Sequence, residues 1–194
     1  IFRTTDGGNN WSLVKPTQFY RDKRSKGANL FAFSGANTIY AGTHGNGLLR
    51  STDSGTTWTT VVSTPSYITD VKMHPTDPTV LYMCTTSGLY RVKDSGSATA
   101  TRIGLGLPTY PYQIAISKSS PATMYVVLGS TYGVYYSTDG GINFSARNNG
   151  MSGTLTAGYA ASSIAISPAD PNYLYVSYNR DSAYSPFGYF YTHD

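Results

Sequence analysis

Glutamate is absent from this chain of 194 residues, and all ten of its acidic residues are aspartates. Charged residues make up only 12% of the sequence, about half of their usual share in soluble proteins. No run of about 18 apolar residues occurs, which predicts that no transmembrane helix is present. No segment has the pattern of a secretory signal peptide.

A disulfide framework is excluded as well, because Cys84 is the only cysteine. Cys84 lies in the apolar run "TVLYMCTTS", which predicts a buried side chain and not a reactive thiol. The chain opens on Ile1 in the middle of a repeated pattern, so we expect a processed or cut N-terminus.

Tyrosine and glycine are abundant, with 18 Tyr and 20 Gly, and serine and threonine are frequent. This composition favours strands and tight turns over helices. Together with the low charge, it indicates an extracellular or cell-surface protein.

One segment of eight residues recurs along the chain, and we call it the octet. Its template is Ser/Thr-x-Asp-x-Gly-x-Asn/Thr-aromatic, as in "STDSGTTW". The positions that define the copies are Asp6, Gly8 and Trp11; Asp53, Gly55 and Trp58; Asp94 and Gly96 in a decayed copy; and Asp139, Gly141 and Phe144. Asp194 begins a fifth copy, so successive aspartates are 47, 41, 45 and 55 residues apart.

Each period contains four short runs with strand-like composition, separated by turn residues such as those of "HPTDP" and "SPADP". Four strands per repeat of about 45 residues predict an all-β protein, a β-propeller of four-stranded antiparallel blades. We expect one domain, residues 1–194, with blade repeats at approximately 1–15, 28–62, 67–104, 112–148 and 162–194. About four blade lengths favour part of a larger ring, or a ring completed by another segment or chain, over a closed four-bladed ring.

The octet falls between the third and fourth strands of each period, where a tight turn explains every position. The aspartate is expected to accept hydrogen bonds from the backbone N–H groups ahead of it. The glycine permits a positive φ, and the aromatic side chain packs between neighbouring sheets. Repetition at one blade position indicates a scaffold element, since a catalytic residue would more plausibly occur once.

The octet resembles the Asp-box, or BNR repeat, of bacterial neuraminidases and many other propellers. In that family the box lies away from the ligand-binding face and marks a fold, not an activity. A narrower resemblance is to xyloglucanase-type glycoside hydrolases, carried by residues 26–58 and 68–91. Their catalytic aspartates lie in an Asp-Ile-Gly-Gly-type segment that this sequence lacks, and non-catalytic sorting-receptor and photosystem-assembly propellers are similar too.

Candidate catalytic carboxylates follow by elimination, because a glycosidase normally needs two carboxyl groups. Five aspartates belong to octets, and Asp77 and Asp170 lie in proline turns. Asp70, Asp181 and Asp22 are left as candidates, all in loops or strand ends predicted on one face. The alternative for each is a solvated residue without a catalytic role. The sequence therefore leaves open whether the chain is an enzyme; if it is a glycoside hydrolase, its carboxylates could also lie outside this chain.

Tyrosines dominate the loops predicted on that same face, and tyrosine suits stacking on sugar rings. The candidate ligand-binding residues are Tyr67, Tyr110, Tyr112, Tyr159, Tyr178 and Tyr184, with Arg21 and Arg24 from a basic loop. The alternatives are packing between blades and a solvated loop. The three histidines lack metal-ligand spacing, so neither a metal nor a cofactor is expected. The charge of +4 is too scattered to predict nucleic-acid binding.

The sequence thus supports an extracellular carbohydrate-active propeller that binds a polysaccharide or oligosaccharide, and hydrolyses a plant-type β-glucan such as xyloglucan if it is catalytic. A second hypothesis is a non-catalytic binding, assembly or structural module of a secreted or surface protein. A third is a structural piece that self-associates through open sheet edges.

Overall fold

The computed structural model describes residues 2–14, 31–65, 67–128, 133–151, 159–180 and 188–192. Of residues 159–162, 178–180 and 188–192 it describes the backbone. Within these ranges every regular element is a β-strand, as the composition predicts.

The strands form five sheets in chain order, which we number one to five. Sheet one holds β1 (Phe2–Arg3) and β2 (Ser12–Leu13). Sheet two holds β3 (Phe31–Ser34), β4 (Thr38–Gly42), β5 (Leu48–Ser51) and β6 (Thr59–Val62). Sheet three holds β7 (Ile68–Met73), β8 (Val80–Thr85), β9 (Gly88–Asp94) and β10 (Ala98–Ile103).

Sheet four holds β11 (Pro111–Ile116), β12 (Met124–Leu128), β13 (Val134–Ser137) and β14 (Ser145–Ala146). Sheet five holds β15 (Tyr159–Ile166), β16 (Leu174–Arg180) and β17 (Gly188–Thr192). Every strand pairs antiparallel with the next strand of its sheet. Sheets of four sequential antiparallel strands confirm the predicted blade architecture.

The hydrophobic core lies between the sheets, not within them. All six residues of β8 are buried because both faces of this strand are covered. Val80, Tyr82 and Cys84 pack towards sheet four, and Leu81 and Met83 pack towards sheet two. Since side chains alternate along a strand, an uninterrupted apolar run is what a strand buried on both faces requires. The structure thus explains the run that contains Cys84.

The innermost strands of neighbouring sheets are joined by side chains that accept backbone hydrogen bonds. The pairing register shifts between Ile68 and Asp70 in β7 and between Pro111 and Gln113 in β11. After the first shift, the Asp70 carboxylate accepts a hydrogen bond from the Ile114 N–H at 3.1 Å. After the second, the Gln113 side-chain oxygen accepts one from the N–H of Ile164, also at 3.1 Å. These bonds hold β7, β11 and β15 side by side.

Antiparallel order gives the sheets two distinct ends. The octets, which join third to fourth strands, share one end with the turns between first and second strands; we call it the octet end. The opposite end carries the starts of the innermost strands and the turns between second and third strands; we call it the tyrosine end. No helix of the described residues has the length and apolarity that a membrane crossing requires.

Candidate functional site

The aspartates of three octets are fixed in local hydrogen-bond networks at the octet end. In the octet of Asp53, one carboxylate oxygen accepts the Thr57 N–H at 2.8 Å and the other accepts the Thr57 hydroxyl at 2.6 Å. The Ser51 hydroxyl donates to Asp53 at 2.8 Å and accepts the N–H of Gly55 at 2.7 Å. Gly55 has a φ of 88°, a value that glycine adopts without strain. The octets of Asp6 and Asp139 repeat these contacts.

These networks also set the charge of the three aspartates. Hydrogen bonds from Thr57 and Ser51 lower the pKa of Asp53 to about 2. Those from Asn10 and Thr4 lower the pKa of Asp6 to about 2, and those from Asn143 and Ser137 do the same for Asp139. A general acid needs a raised pKa, so these carboxylates are suited to holding turns together and not to donating protons.

The fourth octet, around Asp94, is built differently. Val92 and Ala98 stand where the other copies have a hydroxyl and a hydrogen-bonding side chain, so the local network cannot form. The Asp94 carboxylate instead accepts the Tyr40 hydroxyl at 2.9 Å and lies 2.8 Å from the Arg50 guanidinium. Burial and the neighbouring Asp94 raise the pKa of Tyr40 to about 12. Asp94 therefore ties sheet three to sheet two and does not close its own turn.

The octet aromatic side chains follow the expected packing in two copies and differ in one. Trp58 and Phe144 are buried, as predicted for rings that lie between sheets. The prediction is wrong for Trp11, which is 61% exposed. Trp11 precedes the short β2, and sheet one has only two strands in the described residues, so little surface is available to cover the ring.

Two further aspartates, Asp77 and Asp170, are engaged in turns at the octet end. Asp77 accepts hydrogen bonds from the Thr79 N–H at 2.9 Å and from the Thr79 hydroxyl at 2.6 Å, which lowers its pKa. Asp170 accepts the Asn172 N–H at 2.9 Å. Their placement agrees with a turn role.

Asp70 is the candidate catalytic residue whose surroundings the structure describes. Its side chain is fully buried, and its oxygens accept the N–H groups of Val71 at 2.9 Å and Ile114 at 3.1 Å. The Lys72 amine lies 3.6 Å from the carboxylate. Burial raises the pKa of Asp70 to about 6, against the opposing effects of Lys72 and the two backbone hydrogen bonds. The pKa would suit a general acid, but a general acid must touch the glycosidic oxygen, which a side chain without exposed surface cannot do.

Tyrosines gather at the tyrosine end. Tyr67 immediately precedes β7 and is 48% exposed, and Tyr110 and Tyr112 flank the first residue of β11. The Thr69 hydroxyl donates to the Pro111 carbonyl at 3.2 Å, which brings the beginnings of the two strands together. Burial, followed by the charge of Asp70, raises the pKa of Tyr112.

The side chains of the other candidates fall outside the described part of the chain. Asp22, Asp181, Tyr184, Arg21 and Arg24 lie outside the described residues. Tyr159 and Tyr178 lie at the first residue of β15 and near the end of β16, and only their backbone is described. Their register places both at the tyrosine end, since Tyr159 pairs with Arg180 and Tyr178 with Ala161.

The tyrosine end also contains a groove that sequence reasoning missed, of about 480 Å³, between sheets two and three. Its lining comprises Tyr67, Tyr90, Pro65, Ala100 and the hydroxyl residues Thr64, Thr86 and Ser87. Tyr90 lies on β9, and nothing in its sequence neighbourhood "GLYRVKD" distinguishes it from a core residue. The one available indication was the run of hydroxyl residues in "CTTSG", which forms the turn from β8 to β9.

A second cavity, of about 380 Å³, lies between sheets one and two and is lined mainly by apolar side chains, among them Phe2, Phe33 and Trp58. It borders an octet and contains no carboxylate. Among the described residues, no three His, Cys, Asp or Glu side chains are grouped as metal ligands would be.

Comparison with solved structures identifies the fold. The chain matches a GH74 enzyme of Niastella koreensis with a TM-score of 0.71 and 21% identity, over 91% of this chain and 29% of that one. It matches the GH74 xyloglucanase of Xanthomonas campestris with a TM-score of 0.51 and 14% identity, over 79% and 27%. YCF48 bound to D1 peptide gives a TM-score of 0.52 and 16% identity, over 91% and 54%.

At these identities the likeness shows the fold alone, and that fold is the β-propeller. The chain spans less than a third of the length of the two GH74 structures, 29% and 27%. No protein-family model matches the chain, and no curated protein is significantly similar to it in sequence.

Proposed function

We propose that this chain is an extracellular Asp-box propeller that binds a plant-type β-glucan such as xyloglucan through its tyrosine end. The observation that carries the proposal is the placement of Tyr67, Tyr110 and Tyr112 at the starts of adjacent innermost strands. A row of amphipathic rings offers flat apolar surface for sugar faces and hydroxyls for sugar hydroxyls. The fold shared with GH74 structures supports the same class of ligand.

The proposal includes hydrolysis of the bound glucan, for which Asp22 and Asp181 are the candidate catalytic carboxylates. Asp70 is fully buried, and six further aspartates are held in turns or in an ion pair. A glycosidase needs two carboxyl groups on either side of the bond. Asp194 begins the fifth octet, so the pair would have to be Asp22 with Asp181, or include groups from outside this chain.

A non-catalytic binding or assembly module is the second candidate. The burial of Asp70 favours it, because this removes one of the three candidate carboxylates from contact with a ligand. YCF48, which has a related fold, was solved with a bound peptide, and this supports a binding role for a propeller of this kind.

Two measurements on the 194-residue chain test the proposal. Calorimetric titration with xyloglucan oligosaccharides measures binding, and a reducing-end assay with polymeric xyloglucan measures hydrolysis. We expect saturable binding. If hydrolysis occurs as well, the Asp181→Asn and Asp22→Asn variants should lose it and should keep binding.

The outcomes separate the hypotheses. Binding without release of reducing ends supports the non-catalytic module, and release that survives both substitutions overturns the assignment of Asp22 and Asp181. Absence of binding to xyloglucan and to other neutral β-glucans contradicts the proposed function.

A further inference from the structure

The groove between sheets two and three has a defined construction. One wall is the connection from β6 to β7, with Pro65 and Tyr67, and the other is formed by Tyr90 on β9 and by the turn from β8 to β9. The Thr86 N–H donates to the Tyr67 carbonyl at 3.2 Å and joins the two walls. This bond continues the pairing of β7 with β8, so it fixes Tyr67 to the turn from β8 to β9 within sheet three.

The turn that borders the groove is fixed from within. The Thr85 hydroxyl donates to the Gly88 carbonyl at 2.8 Å and accepts the Ser87 N–H at 3.1 Å. Thr85 is fully buried, so it closes the turn from the protein side. The side chains of Thr86 and Ser87 line the groove from this turn.

Tyr67 is supported on one side and open on another. His44 packs against it with the ring centroids 5.6 Å apart and the planes tilted by 59°, and an isolated β-bridge joins the two residues. Nearly half of the Tyr67 surface, 48%, is nevertheless exposed. Support from His44 reduces the freedom that the ring would lose on binding, which favours a stacking role.

The chemistry of the lining selects a class of ligand. No charged side chain lines the groove among the described residues, which disfavours phosphorylated or acidic ligands. Two tyrosine rings provide apolar surface, and Thr64, Thr86 and Ser87 provide hydroxyls that both donate and accept. The volume of about 480 Å³ lies within the range of about 300–1,000 Å³ that is typical of small-molecule sites. A ligand with apolar faces, many hydroxyls and no charge fits these features.

We infer that this groove, the Tyr67–Tyr90 groove, is a subsite for a pyranose unit of a neutral oligosaccharide. A sugar ring stacks on Tyr67, and its hydroxyls exchange hydrogen bonds with the Tyr90 hydroxyl and with the turn from β8 to β9. The inference rests on the proposed function for its ligand class. It goes beyond that function by placing a sugar between two sheets, with Tyr90 as a specificity-determining residue.

The test is a calorimetric titration of xyloglucan oligosaccharides into the full chain and into single variants. We expect Tyr67→Ala and Tyr90→Ala each to raise the Kd by about fivefold or more, the usual size of an aromatic contact. Tyr67→Phe keeps the ring and should change the Kd by about twofold or less. Tyr175→Ala on β16, where the tyrosine is 59% exposed, is the matched control and should bind like wild type.

The titration distinguishes a failure of the groove inference from a failure of the proposed function. If wild type binds and both alanine variants bind equally well, the groove is not a subsite and the proposed function stands. If wild type binds no neutral glucan, the proposed function fails and the groove inference falls with it. Tighter binding of oligogalacturonate than of the neutral oligosaccharide would overturn the ligand class.

A thermal melt of each variant verifies that it folds. Saturation-transfer NMR of the Tyr67→Phe variant must also show sugar protons in contact with the protein for the inference to hold.

Discussion

The buried side chain of Asp70 joins two neighbouring sheets, and its burial disfavours the charged carboxylate. Its carboxylate accepts a backbone N–H from the neighbouring sheet, the same task that Gln113 performs one blade later. Glutamine does this without charge, whereas Asp70 carries a charge into a site without exposed surface. Burial consequently raises the pKa of Asp70 from its ordinary 3.8 to about 6.

This raised pKa predicts a pH dependence of stability. The unfolded chain releases the Asp70 proton near pH 4 and the folded protein near pH 6, so the folded state binds more protons between these values. The contribution of Asp70 to the free energy of unfolding is fully present below about pH 4 and is lost as the pH rises through about 6. The loss amounts to at most roughly 3 kcal/mol of unfolding free energy. Urea unfolding followed by circular dichroism at a series of pH values measures it.

Two variants isolate the effect of Asp70. Asp70→Asn cannot ionise, so its unfolding free energy should lack this decline between pH 4 and pH 6. Asp77→Asn is the control, because the pKa of Asp77 is lowered by Thr79 and contributes with the opposite sign. A decline of equal size in Asp70→Asn would assign the pH dependence to another group.

At the scale of the element, the octet is fixed by local hydrogen bonds and β8 by packing between sheets. The octet is a self-contained turn whose hydrogen bonds connect residues two to four positions apart. Strand β8 has no such local network, and its residues are fixed by contacts on both faces. Stability at β8 therefore depends on the packing of sheets two, three and four against one another.

Leu81 on β8 provides the prediction at this scale. It is fully buried against sheet two, so Leu81→Ala should leave a cavity and lower the unfolding free energy by about 2–5 kcal/mol. Thr101→Ala on β10 is an exposed control, for which we expect about 1 kcal/mol or less. Chemical denaturation of both variants measures the difference. Equal losses would show that the core between sheets two and three contributes little.

At the scale of the whole molecule, charge distinguishes two ligand classes. The chain carries a net charge of +4, part of it in the basic segment that contains Arg21 and Arg24. An acidic polymer bound through this charge would dissociate as salt screens the attraction. A neutral glucan bound by tyrosines has no such attraction to lose.

We therefore expect the Kd for xyloglucan oligosaccharides to change by about twofold or less between about 0.1 M and about 1 M sodium chloride. Calorimetric titration at both concentrations measures this, with oligogalacturonate as the charged comparison. A Kd that rises steeply with salt would assign recognition to the basic segment that contains Arg21 and Arg24.

The sequence by itself determined the features that depend on neighbouring residues. The octet spacing and the alternating runs specify four-stranded antiparallel blades, and the template specifies which side chains close each turn. The copy at Asp94 was recognisable as decayed, because it retains Asp94 and Gly96 of the template.

Only the tertiary structure decided what happens between blades. Asp70 is bound to Ile114, 44 residues away, and Asp94 to Arg50 and Tyr40, 44 and 54 residues away. The Tyr67–Tyr90 groove likewise exists because the connection from β6 faces the turn after β8. A repeat pattern defines the strands and turns of each blade. It does not define which side chains of neighbouring blades meet, because those contacts depend on how two twisted sheets pack.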